Sequence, residues 1–317
     1  MSYLERPKYH FPVTLGTITR VYESLRHGFR TFTGPNAFMQ IVTRFAPSPT
    51  GLLHLGHAHS AWFAAREAER NGGRFLLRIE DIDRGRAKPE FEAAILEDLA
   101  WLGLQWQQPV RRQSDHFDVY GELVHVLEEG GVAFPCFQTR KSIAALVDHD
   151  LNAPNGPDGP AFFSPDKDIP PAEANRRIEA GEPYAIRLNA RKAARLVGDL
   201  TFTDRGRGTL PVDPLAGGDI VLSRKDAPVS YHLAVVADDA LQGVSLVTRG
   251  EDLLPACHVQ RVLQVLLGLP EPEYHHHRLV LDAQGRRFAK RDQSATIRDW
   301  RENGRSLDAL RRELGWE

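Results

Sequence analysis

Residues 44–60 read RFAPSPTGLLHLGHAHS and place two prolines, two glycines and three histidines in one short stretch. Such a segment is too stiff for a linker and too polar for a core; a metal site, a phosphate cradle or an odd turn would account for it, and the surroundings decide. His54 and His57 are three apart, so on a helical turn they share a face and can reach one phosphate group together. Gly56 has no Cβ, which lets a flat ring approach the backbone. Pro47 and Pro49 hold the preceding loop in shape before any ligand arrives. A metal site is the competing reading. It needs a further ligand nearby and none stands out, so the phosphate reading leads. His59 falls off the shared face and reads as a helix-surface residue.

The surrounding elements favour the same chemistry. QIVTRFA is short and rich in β-formers and reads as a strand; Pro47 to Gly51 reads as a turn. A helix follows through LGHAHSAWFAAREAERN, with Ala58, Ala61, Trp62, Ala65 and Ala68 on one face and Gly72 placed to end it. A strand that feeds a glycine-bearing turn into a helix start leaves backbone N–H groups and the positive end of the helix dipole for an anion. RFLLRIED reads as a buried parallel strand. Pro89 then opens a second helix, with Phe91, Ile95, Leu99 and Leu102 on one face and Gly103 as its stop.

This alternation implies an α/β fold with a parallel sheet, its first half over residues 39–115. From residue 116 the chain becomes turn-rich, as in GPDGPAFFSPDKDIPP, while PYAIRLNA alternates like a half-exposed strand. Residues 116–215 therefore read as an inserted α+β subdomain. The second half of the core follows over 216–282, with DIVL and YHLAVVADD read as strands and GVSLVTRGEDLL running from a strand into a helix. A basic loop and short helices fill 283–317. Residues 1–38 read as an N-terminal extension of little periodicity, with Met39 an alternative start.

Bulk properties bound the partners. The chain has 317 residues and a net charge of −2, so no global positive field advertises nucleic-acid binding. Local basic patches exist: Arg176–Arg207 holds eight Lys/Arg against four Asp/Glu, and Arg286–Arg312 nine against four. Either could meet a phosphate backbone. Cys136 and Cys257 lie too far apart in sequence to suggest a disulfide framework, which points to a reducing cytoplasm. No apolar run approaches the roughly 18 residues of a membrane span, so no membrane partner is expected.

An ordered set of motifs then adds a family resemblance. RFAPSPTG, HLGH, RIED, YHLAVVADD, TRGEDLL and RFAKR, spread over residues 41–292, resemble the catalytic core of class I glutamyl-tRNA synthetases. HLGH stands where that class has its HIGH motif and RRFAKRD where it has KMSKS, with Arg287 for the first lysine and Ala289 for the usual serine. The resemblance implies the Rossmann-like parallel sheet of class I aminoacyl-tRNA synthetases. Only 25 residues follow Asp292, where full members continue into an anticodon-binding region. That shortness resembles the truncated branch of the family, which transfers glutamate to queuosine in tRNA(Asp). Two rivals stay open: a truncated synthetase that charges the 3′ end of tRNA(Glu), and a non-catalytic paralogue that binds RNA or nucleotide.

The resemblance also implies roles. His54, His57 and Lys290 would be catalytic, with His54, Gly56, His57 and Lys290 holding ATP. Arg44 and Arg249 would grip the glutamate side-chain carboxylate and Glu80 its ammonium, while Ala46, Ser48 and Tyr231 complete the pocket. L-Glutamate, ATP with Mg2+ and queuosine-containing tRNA(Asp) are the implied substrates, cofactor and partner, and the chain is expected to act as a monomer. Relatives often hold zinc in the insertion through a Cys-x-Cys start. Here Cys136 is followed by Gln138, a poor zinc ligand, so zinc is expected to be absent and Cys136 to be a small apolar filler. The histidine run of YHHHRLVL reads as structural, not metal-binding.

Overall fold

A computed structural model describes residues 40–148, 155–156, 159–280 and 296–316. The expected extension over 1–38 and the RRFAKRD loop with Lys290 lie outside these residues.

Strand β1 (Val42–Phe45) is buried along its whole length. It pairs in parallel with β2 (Arg74–Ile79), from Val42 opposite Arg74 to Phe45 opposite Leu77. The connection is α1 (Leu55–Arg70), whose Ala58, Ala61, Trp62 and Ala68 are buried as the spacing required. Helix α2 (Pro89–Trp101) starts on its proline and buries Ile95 and Leu99, and β3 (Gln107–Arg112) adds a third parallel strand beside β2. Gly72 and Gly103, with φ of 57° and 77°, take the left-handed conformation that turns the chain after each helix.

Helix α3 (Phe117–Glu129) leads into β4 (Ala133–Cys136) and α4 (Arg140–Asp148). A two-residue ladder joins β5 (Asn155–Gly156) to β6 (Gly159–Pro160). Helix α5 (Pro171–Glu179) precedes β7 (Ala185–Leu188), whose Ile186 and Leu188 are buried in the alternation read from PYAIRLNA. Then come α6 (Ala190–Val197), β8 (Thr201–Asp204), β9 (Gly208–Pro211) and β10 (Val221–Arg224). Strand β10 is the DIVL segment; it completes an antiparallel sheet with β7 and β4 and does not join the parallel sheet.

Helix α7 (Tyr231–Leu241) corrects the strand reading of YHLAVVADD. Ser230 caps it, its Oγ accepting the Leu233 N–H at 3.4 Å. Residues 232–240 are all buried, so the helix has no polar stripe and its period is invisible in the sequence. Strand β11 (Leu246–Gly250) runs through a short 3-10 turn into α8 (Ala256–Leu266), and β12 (Glu273–His277) pairs in parallel with β11 and with β8. The two parallel sheets meet where Ser245 N–H donates to Val42 O at 3.1 Å and Val42 N–H to Ser245 Oγ at 3.0 Å. The order across the molecule is β3-β2-β1-β11-β12-β8, closed by antiparallel β9. Helices α9 (Ile297–Glu302) and α10 (Leu307–Glu313) bury Ile297, Trp300 and Leu310 with α1 and α2. Ile297 N–H donates to Leu53 O at 2.9 Å, which fastens the C-terminal segment to the loop before His54.

Candidate active site

The carboxyl ends of β1, β2 and β11 open onto a cleft of about 580 Å3, as expected for ligands in parallel α/β sheets. Nine of the ten residues singled out by sequence line it: Arg44, Ala46, Ser48, His54, Gly56, His57, Glu80, Tyr231 and Arg249. The tenth, Lys290, lies outside the described residues.

At one end is the start of α1. His54 is its N-cap, in extended conformation, and its Nδ1 accepts the Gly56 N–H at 3.1 Å. His57 returns the bond, its Nδ1 accepting the His54 N–H at 3.1 Å. This is a capping box built from two imidazoles. Because both Nδ1 atoms accept, each neutral ring carries its hydrogen on Nε2. The rings stack with centroids 3.7 Å apart, so the pair acts as one unit. Gly56 does admit a flat ring, but the ring is that of His54: a Cβ on Gly56 would stand 3.0 Å from His54 Cε1. The proline loop is tied down by Glu80 N–H on Pro47 O and Lys88 N–H on Pro49 O, both at 3.0 Å.

The other end is a network of buried ions. Arg44 meets Asp239 with two nitrogens, at 2.9 and 3.3 Å, and its Nη1 donates to Thr248 O at 3.2 Å. Arg78, wholly buried, donates to Asp239 at 2.8 Å and reaches Glu80 at 3.4 Å. Burial alone would raise Asp239, yet Arg44 and Arg78 hold its carboxyl below the usual range. Glu80 fares differently. Burial pushes it up to about 7, against the pull of Arg78 and Arg44 and with the help of Asp239 and Asp238. Asp238, fully buried, accepts from Arg111, Gln113 and Tyr120 at 2.7 to 2.9 Å. Tyr231 stands at the first turn of α7, where burial raises its phenol.

Arg249 enters from β11. It donates to His276 Nε2 at 3.0 Å, Gln260 Oε1 at 2.9 Å and Cys257 Sγ at 3.0 Å. The histidine run of β12 is thus absorbed by the fold: His275 meets Glu67, His276 meets Asp204 and Arg249, and His277 meets Ser60 at the cleft wall. His59 is half-buried and not on an open helix surface. It accepts Trp316 Nε1–H at 2.8 Å and packs on His277, and burial, His277 and Arg66 push it down to about 4.

A second cleft of about 480 Å3 shares Ser48, Thr50, Glu80 and Tyr231 with the first and adds Asp83, Arg86, Gln113 and Arg224. In the inserted sheet, Cys136 is buried with Sγ 3.3 Å from Ser164 Oγ, and Gln138 donates to Asp166 at 2.7 Å. Cys136 is thus more than an apolar filler, and this donor set does not fit zinc. Sequence reading missed Arg78, Asp238 and Asp239. Their signal was present as charges inside the apolar runs LLRIED and AVVADDAL.

Comparisons with known proteins agree with this geometry. Residues 40–315 match the family described as tRNA synthetases class I (E and Q), catalytic domain. The chain is 45% identical over 289 residues to the glutamyl-Q tRNA(Asp) synthetase of Rhodobacter capsulatus, covering 87% of this chain and 100% of that one. It is 37% identical to the glutamate–tRNA ligase of Aquifex aeolicus, covering 87% of this chain but 58% of the ligase. A solved glutamate tRNA ligase from Elizabethkingia meningosepticum, in complex with its amino acid, superposes with a TM-score of 0.65 at 28% identity. That match covers 84% of this chain and 53% of the other, so the chain spans about half the length of that ligase.

Proposed function

The chain belongs to the class I tRNA synthetases of the E and Q type, and from that membership we propose that it activates L-glutamate with ATP and transfers the glutamyl group to queuosine in the anticodon of tRNA(Asp). The observation that carries this reading is the convergence of His54, His57, Arg44, Glu80, Tyr231 and Arg249 on one cleft.

The first step joins a glutamate α-carboxylate oxygen to the α-phosphorus of ATP while the bond to the bridging oxygen breaks and pyrophosphate leaves. No protein nucleophile is needed; positioning and charge stabilisation carry the rate. The Nε2–H groups of His54 and His57 donate to α-phosphate oxygens at the helix start. Arg44 and Arg249 hold the side-chain carboxylate, and Glu80 as carboxylate holds the ammonium. Lys290 meets the leaving pyrophosphate. Asp252, which lines the cleft, would hold the Mg2+ that comes with ATP, and the ion would offset charge on the phosphates.

In the second step a hydroxyl of the queuosine cyclopentenediol attacks the adenylate carbonyl and AMP leaves. The second cleft, which opens onto Glu80 and Tyr231, supports entry of that nucleoside from the side opposite the phosphates. A splayed anticodon loop presents its bases for such entry. The full-length match to the Rhodobacter protein favours this acceptor over the 3′ end of tRNA(Glu). Among the described residues no helix is long and apolar enough to cross a membrane. The reading places the reaction in the cytoplasm, with the chain acting as a monomer.

The test uses labelled glutamate, ATP and tRNA(Asp) with or without queuosine. Label should appear only with queuosine and map to the wobble nucleotide, and glutamate-dependent ATP–pyrophosphate exchange should proceed without tRNA. Label on the 3′ adenosine of tRNA(Glu) would replace this reading with the ordinary synthetase.

A further inference from the structure

Arg249 carries five N–H groups. Three are engaged within the fold, by His276 Nε2, Gln260 Oε1 and Cys257 Sγ. Among the described residues this leaves one N–H on each terminal nitrogen, and Arg249 lines the cleft. Donors on both terminal nitrogens can meet the two oxygens of a carboxylate. A carboxamide offers one oxygen and an NH2 group, whose hydrogens would face arginine hydrogens.

The orientation of that fork depends on His276. Arg249 Nε–H can donate to His276 Nε2 only if Nε2 carries a lone pair. The other ring nitrogen, Nδ1, stands 2.6 Å from Asp204 Oδ2. Oδ2 also accepts the His276 backbone N–H at 3.1 Å, and Oδ1 accepts the Gly206 N–H at 2.9 Å. An ionised carboxylate gives no hydrogen, so Nδ1 holds the ring proton and Nε2 the lone pair. Both side chains are fully buried, which excludes water as a substitute partner. Asp204 thus sets the tautomer of His276, and the tautomer sets the rotation of the guanidinium.

We infer that Asp204 and His276 are a positioning pair that sets the two remaining N–H groups of Arg249, and that they thereby select a carboxylate over a carboxamide side chain in the amino-acid substrate. The inference rests on the reading of the cleft as an amino-acid-activating site. It gives β8, which lies within the segment 116–215 and pairs with β12, a part in substrate choice without any contact to substrate.

His276→Asn and His276→Gln separate positioning from folding. The short amide of asparagine still donates to Asp204, so the buried charge keeps its partner, but nothing reaches Arg249. The longer glutamine places an amide oxygen where Nε2 stands. In ATP–pyrophosphate exchange, His276→Asn should raise the KM for glutamate about 10- to 100-fold, the loss expected for one hydrogen bond to a charged group, with KM for ATP and kcat little changed. Its preference for glutamate over glutamine should fall by a similar factor, and His276→Gln should restore most of both. A wild-type glutamate KM in His276→Asn would overturn the pair. So would an equal loss toward glutamate and ATP with a lowered melting temperature, since that is a structural role. Absence of glutamate exchange in the wild-type chain would instead overturn the activating-site reading itself.

Discussion

The two ends of the cleft are built in opposite ways. The end proposed for phosphate is local: a proline loop, a helix start and two histidines three residues apart, bonded to their own backbone. The carboxylate end is assembled from β1, β2, α7, β8, β11 and β12, and the pair Arg44–Asp239 spans 195 residues of chain. Backbone donors at a helix end need no partner charge in the fold, because the dipole is already fixed. Buried guanidinium groups do need one, since an unpaired ion in a dry interior is costly. The first end is therefore robust and contiguous, while the second exists only when the sheet is complete.

The sharpest way to break this contrast is Asp239→Ala. It strands Arg44 and weakens the hold on Arg78, and should lower stability by about 3–5 kcal/mol in urea unfolding. A change comparable to a surface substitution would mean that the network is not structural. On the phosphate side the matching test is Lys290→Ala. It should cost on the order of 10²–10³ in the rate of adenylate formation with little change in glutamate affinity or melting temperature. An unchanged rate removes Lys290 from the mechanism.

Protonation sharpens the contrast further. Glu80 loses its charge as pH falls through about 7, and a neutral carboxyl holds an ammonium poorly. The KM for glutamate should therefore rise by up to roughly tenfold per pH unit below that point, while remaining flat above it. A flat profile from pH 5 to 8 would show that Glu80 stays ionised or stands apart from the ammonium. The smallest effect belongs to His54. Replacement by alanine removes a helix cap and should cost about 0.5–2 kcal/mol of stability. Serine should restore the cap without restoring the exchange rate, and recovery of both by serine would make His54 a cap alone.

The same contrast explains what the sequence disclosed. Residues 44–60 disclosed the turn and the helix start at His54 because proline, glycine and histidine act over one or two turns, and the spacing of α1 and α2 followed from amphipathic faces. The acidic partners of the carboxylate end stayed hidden. Arg78, Asp238 and Asp239 show in the sequence only as charges within apolar runs, and nothing local says which charge meets which. Helix α7 was misread as a strand for a related reason: a helix buried on every side loses the periodicity that identifies it. His59 was misplaced because its cover, Trp316, comes from the far end of the chain.

The histidine capping box has a consequence for lone pairs. An imidazole binds a transition metal through an unprotonated nitrogen. In His54 and His57 the Nδ1 lone pair of each ring already receives a backbone hydrogen, and Nε2 carries the ring's own. Neither ring presents a lone pair unless the first turn of α1 gives one up or Nε2 sheds its hydrogen. A histidine pair at a spacing that ordinarily invites zinc or nickel is thereby left with a hydrogen, not a lone pair, on each Nε2. The same two bonds that start the helix favour anions over transition-metal cations at its entrance.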